Sequence, residues 1–355
     1  MSETGYALPG GANTYIPNTQ ATENLLINYS RNAKDFPLAK WAQYKKVKKT
    51  NGQFIRVNAE EAARIVNQDL SDFVWPDGAD DNQRNETEGF KFELYHTERY
   101  AYRWRLGAKA VDEAEFPVLN LHSLVKAQQA MTGRVTLACK VLQTEGLWDA
   151  DHVIDVTSFE TNSGSWEDST TSTNNIRRSI FGGVEIINGA TLGQVKIGDL
   201  HLVMNPNTAR RVGASQEILD FVKQQAGSPG WVTGSSDELL EQYGLPKKLH
   251  GLNVEVENTI RITNTRGATK ARTYPLEDGN VFILARPGEL VAPAGNGPSF
   301  STLMIFLLEE MTVETKRDPD ARREVGRIVD DFEARLVAPA SGIWFQNVLT
   351  EDSSS

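Results

Sequence analysis

The sequence contains a single cysteine, Cys139, among its 355 residues. One thiol cannot form an internal disulfide, so a disulfide framework is excluded and the composition fits a reducing compartment. Apolar runs are also short, because none approaches the roughly 18 residues of a membrane span. The segment Met1–Tyr15 has neither a basic nor an apolar stretch. We therefore expect no secretory signal and no membrane partner.

Positive charge is scarce relative to negative charge, since 37 Lys and Arg face 47 Asp and Glu and give a net charge of −10. This balance excludes strong non-specific binding to nucleic acid, which needs a basic surface. It leaves open a wall that encloses nucleic acid with only weak contacts. A basic cluster follows Trp41 and comprises Lys45, Lys46, Lys48 and Lys49. We interpret it as a solvated strand edge, with nucleic-acid contact as the alternative.

Catalytic motifs are absent from the sequence: there is no G-x-S-x-G, Walker A, G-x-G-x-x-G or H-E-x-x-H pattern. The histidines are scattered without the spacing of metal ligands, at His96, His122, His152, His201 and His250. Cys139 adjoins the apolar face of a predicted helix, where a buried thiol acts as a small hydrophobe. Adjacent carboxylates such as Asp330 and Asp331 fall on a predicted strand and point to opposite faces. We predict no catalytic residue, no metal and no cofactor.

Two long strands are predicted near the C-terminus. Phe300–Leu308 is apolar at almost every position, so this strand must be buried on both faces. A charged turn at Asp318–Asp320 follows it. From Arg327 to Ala338 apolar and polar residues alternate, which is typical of a strand with one covered and one solvated face. This part of the chain is predicted to be framework that crosses the molecule.

Phe90–Leu106 is predicted to be one long strand with an aromatic face. The residues that share this face are Phe90, Phe92, Leu94, Tyr100, Tyr102, Trp104 and Leu106. A run of this length exceeds ordinary strands, and a two-stranded ribbon is not stable alone in water. We predict a ribbon whose aromatic face is covered by a neighbouring subunit. A second strand, Tyr44–Val57, is predicted to turn at Asn51-Gly52.

Pro117–Gly146 is predicted to be a long helix, because its apolar residues recur with the 3.6-residue period. At 1.5 Å per residue it would span about 40 Å. Shorter elements complete an α+β pattern, with Ser215 as a predicted helix cap. The predicted helices are Asn175–Ile187, one that starts at Asn205-Pro206 and Ser215–Gln225, and the predicted strands are Leu200–Met204, Leu252–Thr263, Arg272–Tyr274 and Val281–Ala285.

Three stretches together, in this order and downstream of the long helix, resemble the Hong Kong 97-type coat proteins of tailed bacteriophages. They are His201–Pro206 (HLVMNP) with Thr208–Arg210 (TAR), Tyr243–Pro246 (YGLP) with Gly251–Glu257 (GLNVEVE), and Asp318–Asp330 (DPDARREVGRIVD) with Ala338–Gly342 (APASG). The resemblance covers most of the chain, from about Phe36 to Phe345.

The resemblance implies the Hong Kong 97-type capsid fold and gives each segment a place in it. The implied parts are an N-terminal arm (1–50), an extended β-hairpin loop (51–110), a peripheral domain with a long spine helix (111–185), an axial domain (186–299) and return strands with a C-terminal tail (300–355). The type member also carries a longer N-terminal segment that a protease removes. This chain has no such prefix, which implies a separate scaffolding protein or a chain already trimmed.

The implied function is that of a major capsid protein and not of an enzyme. Many copies would assemble in the host cytoplasm, as pentamers and hexamers, into the icosahedral shell of a virion around double-stranded DNA. Scaffolding, portal and decoration proteins would be further partners, and DNA contact would be weak and non-specific. The candidate subunit-contact residues are Trp41, Phe92, Tyr100, Tyr102, Arg103, Trp104, Arg322 and Arg323.

Two alternatives remain open from the sequence. An encapsulin-type cellular compartment has a shell of the same fold, although the arm and the large loop favour the viral version. A protein of another class, an oligomeric hydrolase with a dispersed Asp, Glu and His site, is the more distant alternative. Covalent Lys–Asn cross-links occur in some relatives, but no such set of residues is assigned in this chain.

Overall fold

A computed structural model describes residues 6–7, 15–16, 36–57, 90–114, 118–159, 164–226, 238–265, 267–269, 271–288 and 301–350. Most of the predicted N-terminal arm and the tip of the predicted ribbon lie outside these ranges. The described α-helices are α1 (Leu38–Trp41), α2 (Ala108–Asp112), α3 (Val118–Leu142), α4 (Asn175–Thr191), α5 (Pro206–Gly213), α6 (Gln216–Ala226) and α7 (Glu238–Tyr243). Short 3₁₀ turns lie at Glu145–Leu147, Ala150–His152, Ile197–Asp199 and Pro339–Ser341.

The described strands fall into five sheets, of which two are larger than a pair. They are β1 (Tyr6–Ala7), β2 (Tyr15–Ile16), β3 (Gln43–Lys46), β4 (Asn51–Val57), β5 (Phe90–His96), β6 (Glu98–Gly107), β7 (Val153–Asp155), β8 (Leu200–Met204), β9 (Lys248–Leu249), β10 (Leu252–Val256), β11 (Arg261–Ile262), β12 (Arg272–Thr273), β13 (Val281–Ala285), β14 (Leu303–Asp318), β15 (Arg323–Leu336) and β16 (Ile343–Gln346).

A six-stranded mixed sheet in the order β7-β16-β13-β8-β10-β9 forms the larger core. Its central strand β13 is buried at every position, which explains the uninterrupted apolar sequence VFILA. Helix α4 packs closely on this sheet at Gly183, where a Cβ atom would approach the Phe345 ring to 2.8 Å. The predicted start of α5 is confirmed, since Asn205 caps it by accepting a hydrogen bond from the Thr208 backbone N–H at 2.7 Å.

A four-stranded sheet in the order β3-β14-β15-β6 forms the second core with α3. Strands β14 and β15 make the predicted antiparallel hairpin around the charged turn. Leu303–Leu307 is buried on both faces, as predicted. The prediction of a solvated face for the second strand is wrong over its central part, because Ile328–Phe332 is buried on both faces. Neighbouring strands and α3 together enclose this segment.

The predicted 17-residue strand is in fact two strands that belong to different sheets. Strand β5 ends at His96, Thr97 is buried at the break, and β6 continues into the four-stranded sheet beside β15. Strand β5 pairs instead with β4 in a two-stranded ribbon, from Asn51 opposite His96 onward. The predicted turn at Asn51-Gly52 is therefore also wrong, because the chain turns between β3 and β4 and both residues lie within β4.

Other boundaries are corrected more modestly. The long helix is confirmed but ends at Leu142, before the 3₁₀ turn at Glu145–Leu147. Ser215 does not cap α6, because its hydroxyl is buried without a hydrogen-bond partner among the described residues. The predicted domain boundary at residue 186 falls inside α4, and β7 and β16 join the six-stranded sheet from sequence assigned to other domains.

Candidate subunit-contact surfaces

Two of the predicted contact residues lie in the interior of the chain itself. Trp41 is fully buried and donates its indole N–H to Glu257 Oε2 at 3.0 Å. Trp104 is buried in a small cluster with Leu106, Ala130 and Ile328 beneath α3. Neither indole presents a surface to another subunit, so assigning them to a subunit contact is wrong. The aromatic face of β6 is covered by the chain's own helix.

The ribbon β4–β5 has one anchored face. The rings of Phe54 and Tyr95 stack on Phe306 of β14, with centroids 6.0 and 4.7 Å away. At the root, Glu333 accepts a hydrogen bond of 2.7 Å from the His96 backbone N–H. Arg335 forms an ion pair of 3.7 Å with Glu93 on the same face. These contacts hold the ribbon root against the four-stranded sheet.

The opposite face of the ribbon is apolar and bare. Phe92 is 62% exposed and Leu94 is 60% exposed, the two highest values among the large hydrophobic residues described. In the ribbon register Phe92 pairs with Ile55 and Leu94 pairs with Gln53. This register places the side chains of Phe92 and Leu94 on the face away from Phe306. Exposed apolar pairs of this size normally mark a contact surface. This is the part of the predicted aromatic face that the chain leaves uncovered.

Tyr100 and Tyr102 are half-buried and serve mainly as internal contacts. The Tyr100 ring packs on Phe332 at 5.0 Å, and its hydroxyl donates to Glu98 at 2.8 Å. Burial and this acidic neighbour raise the pKa of Tyr100 to about 12. Tyr102 reaches α3, where its hydroxyl fills the space beside Gly133. Burial also raises the pKa of Tyr102.

The predicted arginines lie at exposed positions of the four-stranded sheet. Arg103 is exposed on β6, and Arg322 is exposed in the β14–β15 turn with a positive φ of 44°. Arg323 is tied to Asp318 within the same turn by an ion pair of 2.9 Å. The charged turn is thus stabilised inside one chain, while the first two arginines present their charge to solvent.

The sequence did not reveal a fully buried ion pair between α3 and β15. The Arg134 side chain is 2% exposed and that of Asp330 is 0% exposed, and Arg134 Nη2 lies 2.6 Å from Asp330 Oδ1. Arg134 Nε donates to the second carboxylate oxygen at 3.2 Å, so the contact is bidentate. The rings of Phe332 and Tyr44 lie 5.3 and 5.6 Å from the guanidinium carbon. An arginine in the middle of an apolar helix face was the available signal.

Arg134 and Asp330 interact strongly because both side chains are shielded from solvent. Burial raises the pKa of Asp330, against the lowering effect of its Arg134 hydrogen bond and charge. Burial alone would lower the pKa of Arg134, but the Asp330 hydrogen bond and charge raise it above its ordinary value. The pair favours one position of α3 along β15. Losing either partner would leave the other as a buried, unpaired charge.

A second polar contact joins the N-terminal segment to the six-stranded sheet. Glu257 is fully buried and accepts hydrogen bonds from Trp41 and from the Thr259 hydroxyl at 2.5 Å. Lys40 forms an ion pair with Glu255 at 3.4 Å on the same strand end. Strand β3 follows directly and is an edge strand of the four-stranded sheet. Lys45 and Lys46 are exposed on this edge strand, and Lys48 and Lys49 are exposed in the turn after it, so a solvated edge stays the interpretation and nucleic-acid contact stays its alternative.

No group of three or more His, Cys, Asp or Glu residues that could hold a metal is found in the described ranges. Cys139 is fully buried, and burial raises the pKa of its thiol well above the ordinary value, so the thiolate nucleophile is disfavoured. His152 is buried and pairs with the Gly342 carbonyl at 2.6 Å. None of the helices in these ranges is long and apolar enough to cross a membrane.

Solved structures resemble this fold over nearly the whole chain. A phage-related protein from Bordetella bronchiseptica RB50 aligns with 12% identity over 90% of this chain and 94% of its own, with a TM-score of 0.58. The capsid of cyanophage P-SCSP1u aligns with 10% identity over 93% and 92%, with a TM-score of 0.56. The chain has the fold of a phage capsid subunit.

An encapsulin shares this architecture. The SrpI encapsulin complex from Synechococcus elongatus PCC 7942 aligns with 7% identity over 95% of both chains, with a TM-score of 0.55. No family model and no curated protein matches the sequence. The similarity is therefore one of fold. The same mixed helix-and-sheet architecture is found at very low sequence identity.

Proposed function

We propose that the chain is a major capsid protein of the Hong Kong 97 type, which assembles into the icosahedral shell around the double-stranded DNA of a tailed phage. The observation that carries this proposal is the agreement in fold with the cyanophage capsid, over 93% of this chain and 92% of that one. The agreement extends over more than nine-tenths of each chain, as expected of subunits that share one architecture.

The parts of that fold correspond to the elements described above. Helix α3 is the spine helix and, with the four-stranded sheet, forms the peripheral domain. The six-stranded sheet with α4 forms the axial domain, and the ribbon β4–β5 is the root of the extended loop. Residues 1–50 stay the proposed N-terminal arm, most of which lies outside the described residues. Shell assembly in the host cytoplasm, with scaffolding, portal and decoration proteins as further partners, belongs to the same proposal.

A second copy of the chain is the occupant of the bare ribbon face. Phe92 and Leu94 lie on a ribbon whose other face is already fixed to its own subunit, so the outer face is held in one orientation. Rigid presentation of apolar groups lowers the ordering cost of association. Arg103 and Arg322, which are exposed on the same sheet, are polar contacts of that interface, while Tyr100, Tyr102 and Arg323 support it from within. Many weak contacts of this kind add up in a closed shell.

Assembly of the purified full-length chain tests the proposal. Light scattering and electron microscopy are expected to detect megadalton particles or capsomers for the native sequence. The double variant Phe92→Ser/Leu94→Ser should remain folded and fail to form them. Leu219→Ser is the matched control, because Leu219 is 40% exposed on α6, away from the ribbon, and should assemble normally. A native chain that stays monomeric at high concentration would refute the proposal.

An encapsulin-type compartment is the second candidate, favoured by the agreement with the SrpI shell over 95% of both chains. The two candidates differ in cargo, because a capsid holds nucleic acid and this compartment would hold protein. Nuclease-treated particles isolated from the native host distinguish them by their ratio of ultraviolet absorbance at nucleic-acid and protein wavelengths. A protein-only ratio, with a co-purified enzyme, would favour the compartment.

A further inference from the structure

A short hairpin between β10 and β13 projects from the molecule without packing. Strands β11 and β12 pair at Arg261 with Thr273 and at Ile262 with Arg272. Every described residue from Ile260 to Thr273 is exposed. Two-stranded hairpins of this length are not stable by themselves in water. We call residues 258–276 the basic finger.

The base of the finger is nevertheless firmly fixed. On one side, Glu257 and Thr259 are buried and hydrogen-bonded to each other. On the other side, Gln143 near the end of α3 donates to the Pro275 carbonyl at 3.1 Å and accepts from the Glu277 backbone N–H at 2.7 Å. A rigid base with an unpacked tip is expected of a segment that makes its contacts outside its own subunit.

The finger carries a concentrated positive charge on an acidic chain. Residues 258–276 contain no Asp or Glu and carry four cations, whereas the whole chain has a net charge of −10. These cations are Arg261 and Arg272, which the structure describes, and Arg266 and Lys270, which lie outside the described residues. Arg261 and Arg272 form no ion pair with any residue the structure describes. Their positive potential is therefore not neutralised within the subunit.

The residues between the cations suit phosphate contacts. Thr and Asn side chains occupy four exposed positions between the first and the last cation: Thr263, Asn264, Thr265 and Thr269. Hydroxyl and amide groups beside arginines are the usual donors to the nucleic-acid backbone. The exposed tip has no aromatic side chain on which a base could stack and no helix that could enter a groove.

We propose that the basic finger binds the phosphate backbone of nucleic acid without sequence preference. The inference rests on the proposed function, because packaged DNA is the polyanion that a capsid subunit meets. One finger supplies only a few charges and binds weakly, but a shell presents many copies. The exposed Ile260 and Ile262 make an acidic protein segment the rival occupant, and the experiment treats it as a separate arm.

Fluorescence anisotropy of unassembled full-length protein with a labelled random-sequence DNA duplex, over a series of salt concentrations, tests the finger. Arg261→Gln/Arg272→Gln should weaken binding several-fold and reduce the slope of log affinity against log salt by about 2, since each phosphate contact contributes roughly one counterion. The control Arg105→Gln/Lys316→Gln removes the same charge at two exposed positions that flank Val325 on β15. It should bind DNA as the native chain does.

Three results would overturn the proposal: absence of DNA binding by the native chain, equal losses in the finger and control variants, or finger-dependent binding of a polyglutamate peptide in place of DNA. Light scattering on the same preparations measures particle assembly independently of DNA binding. The finger and the proposed capsid function can therefore fail separately. Particles that form without finger-dependent DNA binding refute the finger alone. Finger-dependent binding by a chain that never assembles refutes the capsid and leaves the contact in place.

Discussion

The six-stranded sheet and the ribbon β4–β5 are both rich in apolar residues, yet they differ in where those residues find cover. In the sheet, Ile283 and Phe345 are fully buried against other parts of the same chain. On the ribbon, Phe92 and Leu94 are mostly exposed while the opposite face is fixed to β14. The first region is completed by packing within the chain, whereas the second leaves its apolar side chains exposed. Each variant below tests this difference.

The largest effect is expected in the six-stranded sheet. Phe345→Ala removes a ring that packs on Trp166 at 5.4 Å and closes the space beside Gly183. Loss of the buried surface and the resulting cavity should lower the free energy of unfolding by about 3–5 kcal/mol. Denaturant titration of unassembled protein measures the change. A loss below about 1 kcal/mol would mean that this core is not closed within one chain.

The buried ion pair gives the next effect. Arg134→Met leaves Asp330 buried without its partner and should cost at least about 3 kcal/mol of unfolding free energy. Arg134→Met/Asp330→Leu removes both charges and should recover most of that loss, because the pair's net contribution is small. The same titration, arranged as a double-mutant cycle, checks both statements. Additive losses would contradict the coupling inferred from the geometry.

Acid should weaken the subunit through two partly buried histidines, His201 and His250. Burial, together with Arg286, lowers the pKa of His201 to about 4 in the folded state, whereas an unfolded histidine titrates near pH 6.5. Between these values the unfolded state binds more protons, so the unfolding free energy falls as the pH decreases. The decrease is at most about 1.4 kcal/mol per pH unit for each such residue.

His250 provides an internal comparison for this titration. Burial, with the Arg177 charge, lowers its pKa to about 4 as well, so the native chain should lose stability through both residues. His201→Gln should remove the contribution of this residue, at most about 1.4 kcal/mol per pH unit, from the slope of unfolding free energy against pH between pH 6.5 and 4. Thermal unfolding at half-unit pH steps provides the measurement. An unchanged slope would mean that His201 is not buried as neutral imidazole.

The smallest effect on the subunit is expected on the ribbon. Phe92→Ser replaces a side chain that is already in water, so the unfolding free energy should change by no more than about 0.5 kcal/mol. The comparison with Phe345→Ala is the informative one, because both variants remove a phenyl ring. Denaturant titration of unassembled protein measures the loss of unfolding free energy in each variant. Similar losses in Phe92→Ser and Phe345→Ala would contradict the prediction. In that case the ribbon would be part of the subunit's own core.

Periodicity predicted the elements that have long, regular patterns. Helix α3, the buried segment Leu303–Leu307 and the central strand Val281–Ala285 were all visible as apolar runs of the correct period. The break at Thr97 was not, because the alternation of residues continues in phase from β5 to β6. A strand that passes from one sheet to another keeps its local pattern, and only tertiary pairing reveals the change.

Which segment of the chain buries each apolar face was harder to predict than the helices and strands themselves. The aromatic residues of β6 and β5 look alike in sequence, but α3 covers Trp104 and leaves Phe92 bare. Nothing local distinguishes them, because the difference depends on which of the two strands lies beneath α3 in the folded chain. Arg134 was missed for the opposite reason: a single charge on an apolar helix face gives no hint of which distant carboxylate it meets. The finger was overlooked because none of its four cations is adjacent to another in the sequence, so no basic run is visible.

The parallel pairing of β3 with β14 sets the order in which the protein can be completed on the ribosome. Residues Gln43–Lys46 are synthesised near the start, and their partners Met304–Leu307 emerge near the end. Strand β15, which anchors the ribbon root, emerges later still. Contacts so distant in sequence form last and slow folding. The root of the ribbon therefore acquires its anchoring contacts only when translation of the chain is nearly finished.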